Sequence, residues 1–575
     1  MSNRAGTRHE HDAKGEILSS SGSDTRNRSA RVAYTTHLDT FCADHMPAAE
    51  QLPTFFRDLP EYFYPERLNC AVELLDRMVE HGSGERTAFI HESGSWTYFR
   101  VLATANRIAR ALLEDCGLIP GNRVLLRGPN HPMLVASWFG VVKAGGVAVT
   151  TPCLLRCREL VSVVDQGRIT LALCDARYAG DCEAAFAKHA DGTPRKNARV
   201  VLFNSNAPDS LETLISPKSA EFKNCETSRE DIAMVAFTSG STGQPKGTMH
   251  THRDVLAAAD CFPRYVLRAS ADDVFIGSPP LGFTYGLGGL VLFPMRTGAA
   301  TVLLEQASPG HLLEGIARHR ATVCFTAPTA YRAMLKQLRR EQTARLRKCV
   351  SAGETLPLST FEGWYGATGL KIIDGIGSTE MLQIFISAPE EEIRPGATGK
   401  AIHGYEAKIV REDGADAQSG EVGRLAVRGV TGCKYLDNAR EQAKYVQNGW
   451  NLTGDSFRMD QDGYFWFQAR TDDLIVSSGY NIAGIEVENV LLEHPSVQEC
   501  AVIGVPDPDR GQVVKAFVVA AADCRPCDEL KKELQDFVKS QIAPFKYPRS
   551  LEFVAALPRT ATGKLQRFEL RKQTQ

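Results

Sequence analysis

A run of hydroxyls and glycines closing on a lysine, Thr238-Ser239-Gly240-Ser241-Thr242-Gly243-Gln244-Pro245-Lys246-Gly247, is the stretch of this sequence best equipped for chemistry. Glycines let main-chain N–H groups approach a ligand closely, and successive amides in such a turn form an anion-binding nest. Thr238, Ser239, Ser241 and Thr242 add hydroxyl donors, and Lys246 adds a compact positive charge. Those groups cradle phosphate. The run is not the P-loop of nucleotide hydrolases, which needs G-x-x-x-x-G-K followed by Ser or Thr. Counted from Gly240, the second glycine falls on Pro245, and Lys246 is followed by Gly247. An apolar lead-in over residues 232–237 reads as a buried strand, an entry that a flexible linker rarely has.

Further stretches carry groups of the same kind. Ser351-Ala352-Gly353-Glu354-Thr355-Leu356-Pro357 and Asp374-Gly375-Ile376-Gly377-Ser378-Thr379-Glu380-Met381 set a carboxylate beside glycines and hydroxyls. Hard cations prefer carboxylate and phosphate oxygens, although an isolated Ser-Thr-Glu also suits a helix start. Asp455 ends Trp450-Asn451-Leu452-Thr453-Gly454-Asp455, and an ionised carboxylate can accept two O–H donors at once. Arg470-Thr471-Asp472-Asp473 follows, and Pro558-Arg559-Thr560-Ala561-Thr562-Gly563-Lys564 puts a lysine on a Gly/Thr-rich loop near the C-terminus.

In this order the motifs resemble the adenylate-forming superfamily of acyl-CoA ligases, peptide-synthetase adenylation domains and luciferases. The resemblance covers residues from about 35 to 575. It implies that Thr238, Ser239, Gly240, Ser241, Thr242, Gly243 and Lys246 hold the β- and γ-phosphates of ATP. Gly353, Glu354, Asp374 and Gly375 would sit by the nucleotide, with Thr379 on phosphate and Glu380 on Mg²⁺. Asp455 and Arg470 would hold the ribose, and Lys564 would be the catalytic lysine. Asp472 matches the family's hinge, although Ala469 stands where a glycine is usual before the arginine. Ser478 and Gly479, in Ser477-Ser478-Gly479-Tyr480, match the lining of the coenzyme A tunnel. The implied reaction joins a carboxylate to AMP with loss of pyrophosphate, then transfers the acyl group to a thiol.

Eleven residues follow Lys564, too few for a carrier domain, so free coenzyme A is the expected acceptor. A luciferase-like oxygenase shares the fold, and fold does not fix function. The acyl pocket is expected from Phe237, Phe283, Tyr285, Ala352 and Gly377; flat aromatic acids pack well against such rings. Leu38-Asp39-Thr40-Phe41, Tyr64-Pro65-Glu66-Arg67-Leu68-Asn69 and Gly377-Ser378-Thr379-Glu380-Met381-Leu382 resemble ligases of the benzoate and 2-aminobenzoate type. A medium-chain fatty acid is the alternative substrate. A catalytically silent nucleotide-binding regulator is the alternative class; it predicts loss of Glu380, Asp455, Arg470 or Lys564, and all four are present.

The elements that must position these groups follow from length and pattern. A chain of 575 residues exceeds one ordinary core. A net charge of −2 gives no basic face for nucleic acid or a membrane surface. Fifteen scattered cysteines read as buried apolar residues of a reducing compartment, and Cys524-x-x-Cys527 has no second pair beside it. Residues 133–149, the most apolar window, contain Lys143 and three glycines, so no span is expected and the protein should be cytoplasmic. Asn69 and Thr97 can each cap a helix, the second carrying Val101, Leu102, Ala105, Ile108, Ala109 and Leu112 on one face. Apolar runs at 124–126, 146–150, 171–174, 200–203, 274–277, 300–304, 322–327 and 348–352 alternate with helical stretches. Such alternation predicts α/β architecture with mainly parallel sheets. The expected organisation is a disordered tail over 1–33 and a large N-terminal domain over 34–470. That domain would hold two stacked αβ subdomains and a small β-barrel-like one. A hinge at 471–473 and a small mobile α+β domain over 474–575 would follow. Oligomeric state leaves no mark in the sequence.

Overall fold

The computed structural model describes residues 34–239, 245–470, 473, 475–477, 480–507, 510–542, 546–559 and 565–574, so the polar tail lies outside the described residues. The strands Arg123–Arg127, Val147–Thr151 and Leu171–Asp175 are buried at every position. Continuous apolar runs of this kind belong to parallel strands covered on both faces. They lie in a six-stranded sheet ordered Arg199–Phe203, Leu171–Asp175, Arg123–Arg127, Val147–Thr151, Ile232–Ser239, Pro245–Thr251. Only the last pair is antiparallel.

The helix Tyr98–Glu114 begins where the Thr97 side chain accepts the Arg100 N–H, and it turns Val101, Ala105, Ile108, Ala109 and Leu112 inward. Leu102 packs at the margin of the same core. Asn69 Oδ1 accepts the Ala71 N–H at 3.1 Å, but the helix behind it widens into π turns at Val72–Asp76 and Val79–Ser83. The wider turns keep Leu74 and Leu75 fully inside and leave Met78 and Val79 half-buried. Pro132–Lys143 is buried on every side, so the apolar window at 133–149 is an internal helix followed by a central strand. Among the described residues no helix is long and apolar enough to cross a membrane.

A second sheet has nine strands, ordered Lys400–Ala401, Ile384–Ser387, Ile372–Gly377, Lys348–Ser351, Val323–Thr326, Val274–Gly277, Ala300–Val302, Thr87–His91, Gly94–Thr97. It is parallel through its middle and antiparallel at both ends. The hairpin Thr87–His91/Gly94–Thr97 is absent from the sequence-based expectation. The chain thus lays down two strands of this sheet before it builds the other.

Residues 405–470 form a five-stranded antiparallel sheet, with the hairpin Trp450–Met459/Phe465–Arg470 turning through Asp462 and Gly463. The elements beyond it make a third unit of architecture, a five-stranded sheet with the helices Gly484–Glu493, Asp528–Gln541 and Arg567–Lys572. Its core is its own: Ile475, Ile482, Val487, Leu491, Val502, Val518 and Leu534. The Cys527 sulfur accepts the Leu530 N–H at 3.4 Å and caps Asp528–Gln541, a structural use for one member of the lone Cys-x-x-Cys.

Lys143 is fully buried and held by Asp76, while burial drives its pKa down. Removing one partner of such a pair strands a buried charge, which costs about 3–5 kcal/mol. Asp76→Ala is expected to lower the thermal midpoint by several degrees, and Asp76→Leu combined with Lys143→Met should recover most of that loss. Differential scanning calorimetry of the two variants checks it.

Candidate active site

The strands Ile232–Ser239 and Pro245–Thr251 form a hairpin in which Phe237 faces Gly247, Thr238 faces Lys246 and Ser239 faces Pro245. Gly240, Ser241, Thr242 and Gly243 at its tip lie outside the described residues, as does the Ser239 side chain. Lys246 therefore starts a strand rather than ending a loop. Its ammonium is paired with Glu441, and Glu441 also accepts from Lys444 at 2.5 Å. Hydrogen bonds from Lys246 and then Lys444 hold the Glu441 carboxyl down at about 2. Glu441 lies on the helix Ala439–Tyr445, capped by the Asn438 side chain. Buried Gln442 fixes that helix, accepting the Tyr435 N–H at 2.9 Å and donating to Cys433 O at 3.1 Å.

Glu380 sits in a tight turn after the strand Ile372–Gly377. A Cβ on Gly377 would come within 2.7 Å of Gln383 O, so the close approach of these strands requires glycine. The turn closes with Leu382 N–H on Thr379 O at 3.1 Å, and Leu382 takes a φ of +69°, a region bulky residues avoid. Met381 and Leu382 are buried and hold that conformation in place. The Tyr435 hydroxyl donates to Glu380 Oε1 at 2.6 Å, and the Lys246 ammonium lies 5.7 Å from the Tyr435 ring centre. Lys246 and Glu380, 134 residues apart in the chain, are thus brought together by a tyrosine.

Asp374 lies beside Ser351 in register on neighbouring strands. Asp374 Oδ1 and Ser351 Oγ are both buried, and burial pushes the Asp374 carboxyl up to about 8 against the opposing pull of Ser351 and the Gly375 main chain. Asp374 and Thr355 line a cavity of about 240 Å³ that also touches Phe467, Gln468 and Asn489. Gly375 follows in the same strand, and Gly353 takes a φ of +89° just before Glu354. The Glu354 carboxylate accepts from Arg559 at 3.3 Å. Asp455 is buried and faces Arg470 across the hairpin, whose side chain lies outside the described residues.

The Tyr285 hydroxyl donates to Thr326 O at 3.3 Å, and its ring lies 5.9 Å from that of Phe325. Ala352 is buried, Phe237 and Phe283 are half-buried, and Phe237 packs over Gly247. Buried Asn130 tethers the loop that carries Phe283, donating to Pro279 O at 3.1 Å and accepting the Leu281 N–H at 2.8 Å.

A family model described as AMP-binding enzyme matches residues 76–434, and one described as AMP-binding enzyme C-terminal domain matches residues 486–564. The chain belongs to the AMP-binding enzyme family. The benzoate–CoA ligase of Thauera aromatica is 35% identical over 520 residues, covering 89% of this chain and 97% of its own. The mitochondrial acyl-coenzyme A synthetase ACSM3 of Mus musculus is 32% identical over 538 residues, covering 90% of this chain and 91% of its own. An anthranilate CoA ligase, AuaEII, solved with anthranoyl-AMP, superposes with a TM-score of 0.84 at 34% identity, covering 90% of this chain and 99% of that one.

This AMP-binding enzyme is an ATP-dependent acid–CoA ligase, and the ligases of its family use ATP, Mg²⁺ and coenzyme A. The donor set suits that ion: Glu380 is half-buried, and Tyr435 is its only hydrogen-bond partner among the described residues. A second acidic cluster does not suit a metal. His91, His131 and Glu305 bring donor atoms within 4.8 Å of one another. Both histidine Nδ1 atoms accept main-chain N–H groups, from Ser93 and Met133, so both Nε2 atoms carry the proton. Arg177 already holds Glu305.

Lys564, Asp472, Ser478 and Gly479 lie outside the described residues. Tyr435, Glu441 and Asn130 escaped the sequence reading. Glu441 alone left a signal there, since Asn438 followed three residues later by glutamate is a helix-start pattern.

Removing an outer partner of a metal-holding group typically costs 10–100-fold in metal affinity or activity, roughly. Tyr435→Phe is expected to raise the Mg²⁺ concentration needed for half-maximal pyrophosphate release by about tenfold, with little change in thermal midpoint. A second expectation concerns pH. Burial lifts the Asp374 pKa from 3.8 to about 8, so the folded chain keeps a proton that the unfolded chain releases. That contribution to stability is full below pH 3.8 and is lost as pH rises through about 8. Asp374→Asn should therefore melt progressively higher than the parent as pH increases over that window, measured by thermal scans at fixed ionic strength.

Proposed function

We propose that the acid activated is aromatic, of the benzoate or 2-aminobenzoate type, and that coenzyme A is the thiol. The observation that carries this reading is Tyr285. Its hydroxyl is engaged by the main chain at Thr326, so the side chain offers an acyl group ring surface rather than a polar tip. Phe237, Phe283, Ala352 and Gly377 are assigned to the same pocket. The names of two relatives, a benzoate–CoA ligase and an anthranilate CoA ligase, support the same class.

In the first step a carboxylate oxygen attacks the α-phosphorus of ATP, the bond to the β-phosphate oxygen breaks, and acyl-adenylate and pyrophosphate result. In the second, a thiolate attacks the acyl carbon and AMP leaves. A bound Mg²⁺ supplies charge neutralisation on the phosphates. The hydroxyls and amides of residues 238–243 would hold the β- and γ-phosphates with Lys246, and Thr379 would donate to phosphate. Asp455 would accept from the ribose hydroxyls, with Arg470 beside it. Glu354, Gly353, Asp374 and Gly375 would border the nucleotide. Lys564 would donate to the developing negative charge, a role worth on the order of 10²–10³ in rate for one preorganised donor. Residues 471–473 would form a hinge about Asp472, allowing Ser478 and Gly479 to line the thiol's path in the second step.

Pyrophosphate release across a panel of aryl and alkyl acids tests the substrate class. Benzoate or 2-aminobenzoate should exceed hexanoate and octanoate in kcat/KM by at least about tenfold, given roughly 1–3 kcal/mol per misfit group in an apolar pocket. The reverse order would establish the medium-chain reading instead.

A further inference from the structure

We propose that residues 127–130 clamp together the two loops that place Phe283, and that Arg127 and Asn130 act through this clamp as positioning residues that set the choice of acid. The proposal rests on the assignment of Phe283 and Tyr285 to the acyl pocket. Arg127 ends the strand Arg123–Arg127 and is buried. Its guanidinium donates to Pro152 O and Cys153 O, each at 2.9 Å, and to Leu155 O at 2.8 Å. A guanidinium presents its donors in a fixed planar fork, so three carbonyls that meet it are held in one arrangement. Those carbonyls belong to the loop after Val147–Thr151, a strand of the six-stranded sheet.

Three residues on, buried Asn130 holds a second loop. Its amide donates to Pro279 O at 3.1 Å and accepts the Leu281 N–H at 2.8 Å. Pro279 and Pro280 have no N–H, so Leu281 carries the first main-chain donor after Ser278. This loop follows Val274–Gly277, a strand of the nine-stranded sheet. One short segment therefore grips a loop from each sheet. The two loops meet at Gly282, where a Cβ would lie 2.5 Å from Pro152 N and 2.6 Å from Thr151 C. The contact is main chain against main chain. Phe283 comes next: its N–H bonds Pro280 O at 3.1 Å, and its carbonyl accepts the Leu287 N–H at 2.8 Å. That second bond belongs to the short helix Thr284–Leu287, which carries Tyr285. A Cβ on Gly286 would come 2.1 Å from Pro280 O, so the helix rests on the loop that Asn130 holds. Displacing Pro279 or Leu281 moves Phe283 and the base of the Tyr285 helix together. The groups displaced are those assigned to the acid, so the effect falls on the acid and not on ATP.

Separate KM values for acid and ATP distinguish this role from general loosening. Partial unfolding lowers kcat through the active fraction and leaves both KM values where they were. A misplacement of about 1 Å at a positioning contact costs on the order of 100-fold. Asn130→Ala should raise the KM for benzoate by at least about tenfold, with the KM for ATP within about twofold of the parent. Its preference for benzoate over hexanoate in kcat/KM should fall by at least about threefold as the pocket wall relaxes. Gly282→Ala, which forces the loops apart from the other side, and Arg127→Lys, which has fewer donors, should shift the ratio of the two KM values in the same direction. Each stands alone should another variant fail to fold. Equal changes in both KM values, or a loss of kcat alone, would overturn the proposal. The parent's own ranking of acids keeps the two readings apart. If the parent prefers octanoate to benzoate, the aromatic reading fails, and the KM ratio is then read on octanoate. If the parent prefers benzoate and the folded variants leave the ratio unchanged, the clamp alone fails.

Discussion

The geometry of the site hangs on an extended segment, residues 433–436, that carries none of the family motifs. Its main chain continues the phosphate hairpin: Met249 N–H bonds Lys434 O at 2.8 Å, and Leu436 N–H bonds Gly247 O at 2.8 Å. From the same segment Tyr435 reaches Glu380, and just upstream the Thr431 hydroxyl bonds Met381 O at 2.7 Å. Lys434 is anchored by Asp254 at 2.7 Å in a pair that water scarcely reaches. A buried pair of this kind adds little net stability, but breaking it leaves an uncompensated charge inside. Registry is therefore enforced at this point. The hairpin holding Lys246 and the turn holding Glu380 cannot shift independently.

The carboxyl groups around the site are pushed in opposite directions. Glu441, gripped by two lysines, stays ionised far below neutrality at about 2. Asp374, enclosed without a charged partner, holds its proton up to about 8. A change of pH near neutrality does not neutralise Glu441, so its pairing with Lys246 persists there. Asp374, by contrast, borders the neighbouring cavity as a neutral acid below about pH 8. Environments that separate the pKa values of like groups separate their roles. Here one carboxyl is a fixed anion beside two ammonium groups, and the other is a neutral acid at the edge of a cavity.

Much of this is legible in the sequence. The strands over 123–127, 147–151, 171–175 and 274–277 are buried on both faces, so each appears as an unbroken apolar run between helices. Thr97 caps its helix through local chemistry and reads correctly. What escaped was non-local. The hairpin Thr87–His91/Gly94–Thr97 is short, and its place in the nine-stranded sheet depends on a strand some 210 residues later, with Phe89 beside Thr301. Asn130 matters through Pro279 and Leu281, and Tyr435 through Glu380. A sequence pattern records the period of an element, whereas such partners are chosen by the way sheets stack. The motif residues were recognisable because backbone requirements near them, such as glycine at Gly377, are local too.

A ligase that runs two chemistries in one site needs contacts that position without binding tightly. The C-terminal unit suits that demand because it carries a complete core of its own, so leaving one orientation for another would not expose Ile475, Val502 or Leu534. The hydrogen bonds that cross to the large unit include those of Arg332 and Arg559, both partly open to water. Arg332 meets a carbonyl rather than a charge, and the Arg559–Glu354 pair is partly screened by water, so neither contact supplies the apolar burial that holds each unit's core together. The contact at Glu354 is polar on both sides, and the C-terminal unit's own core does not depend on it.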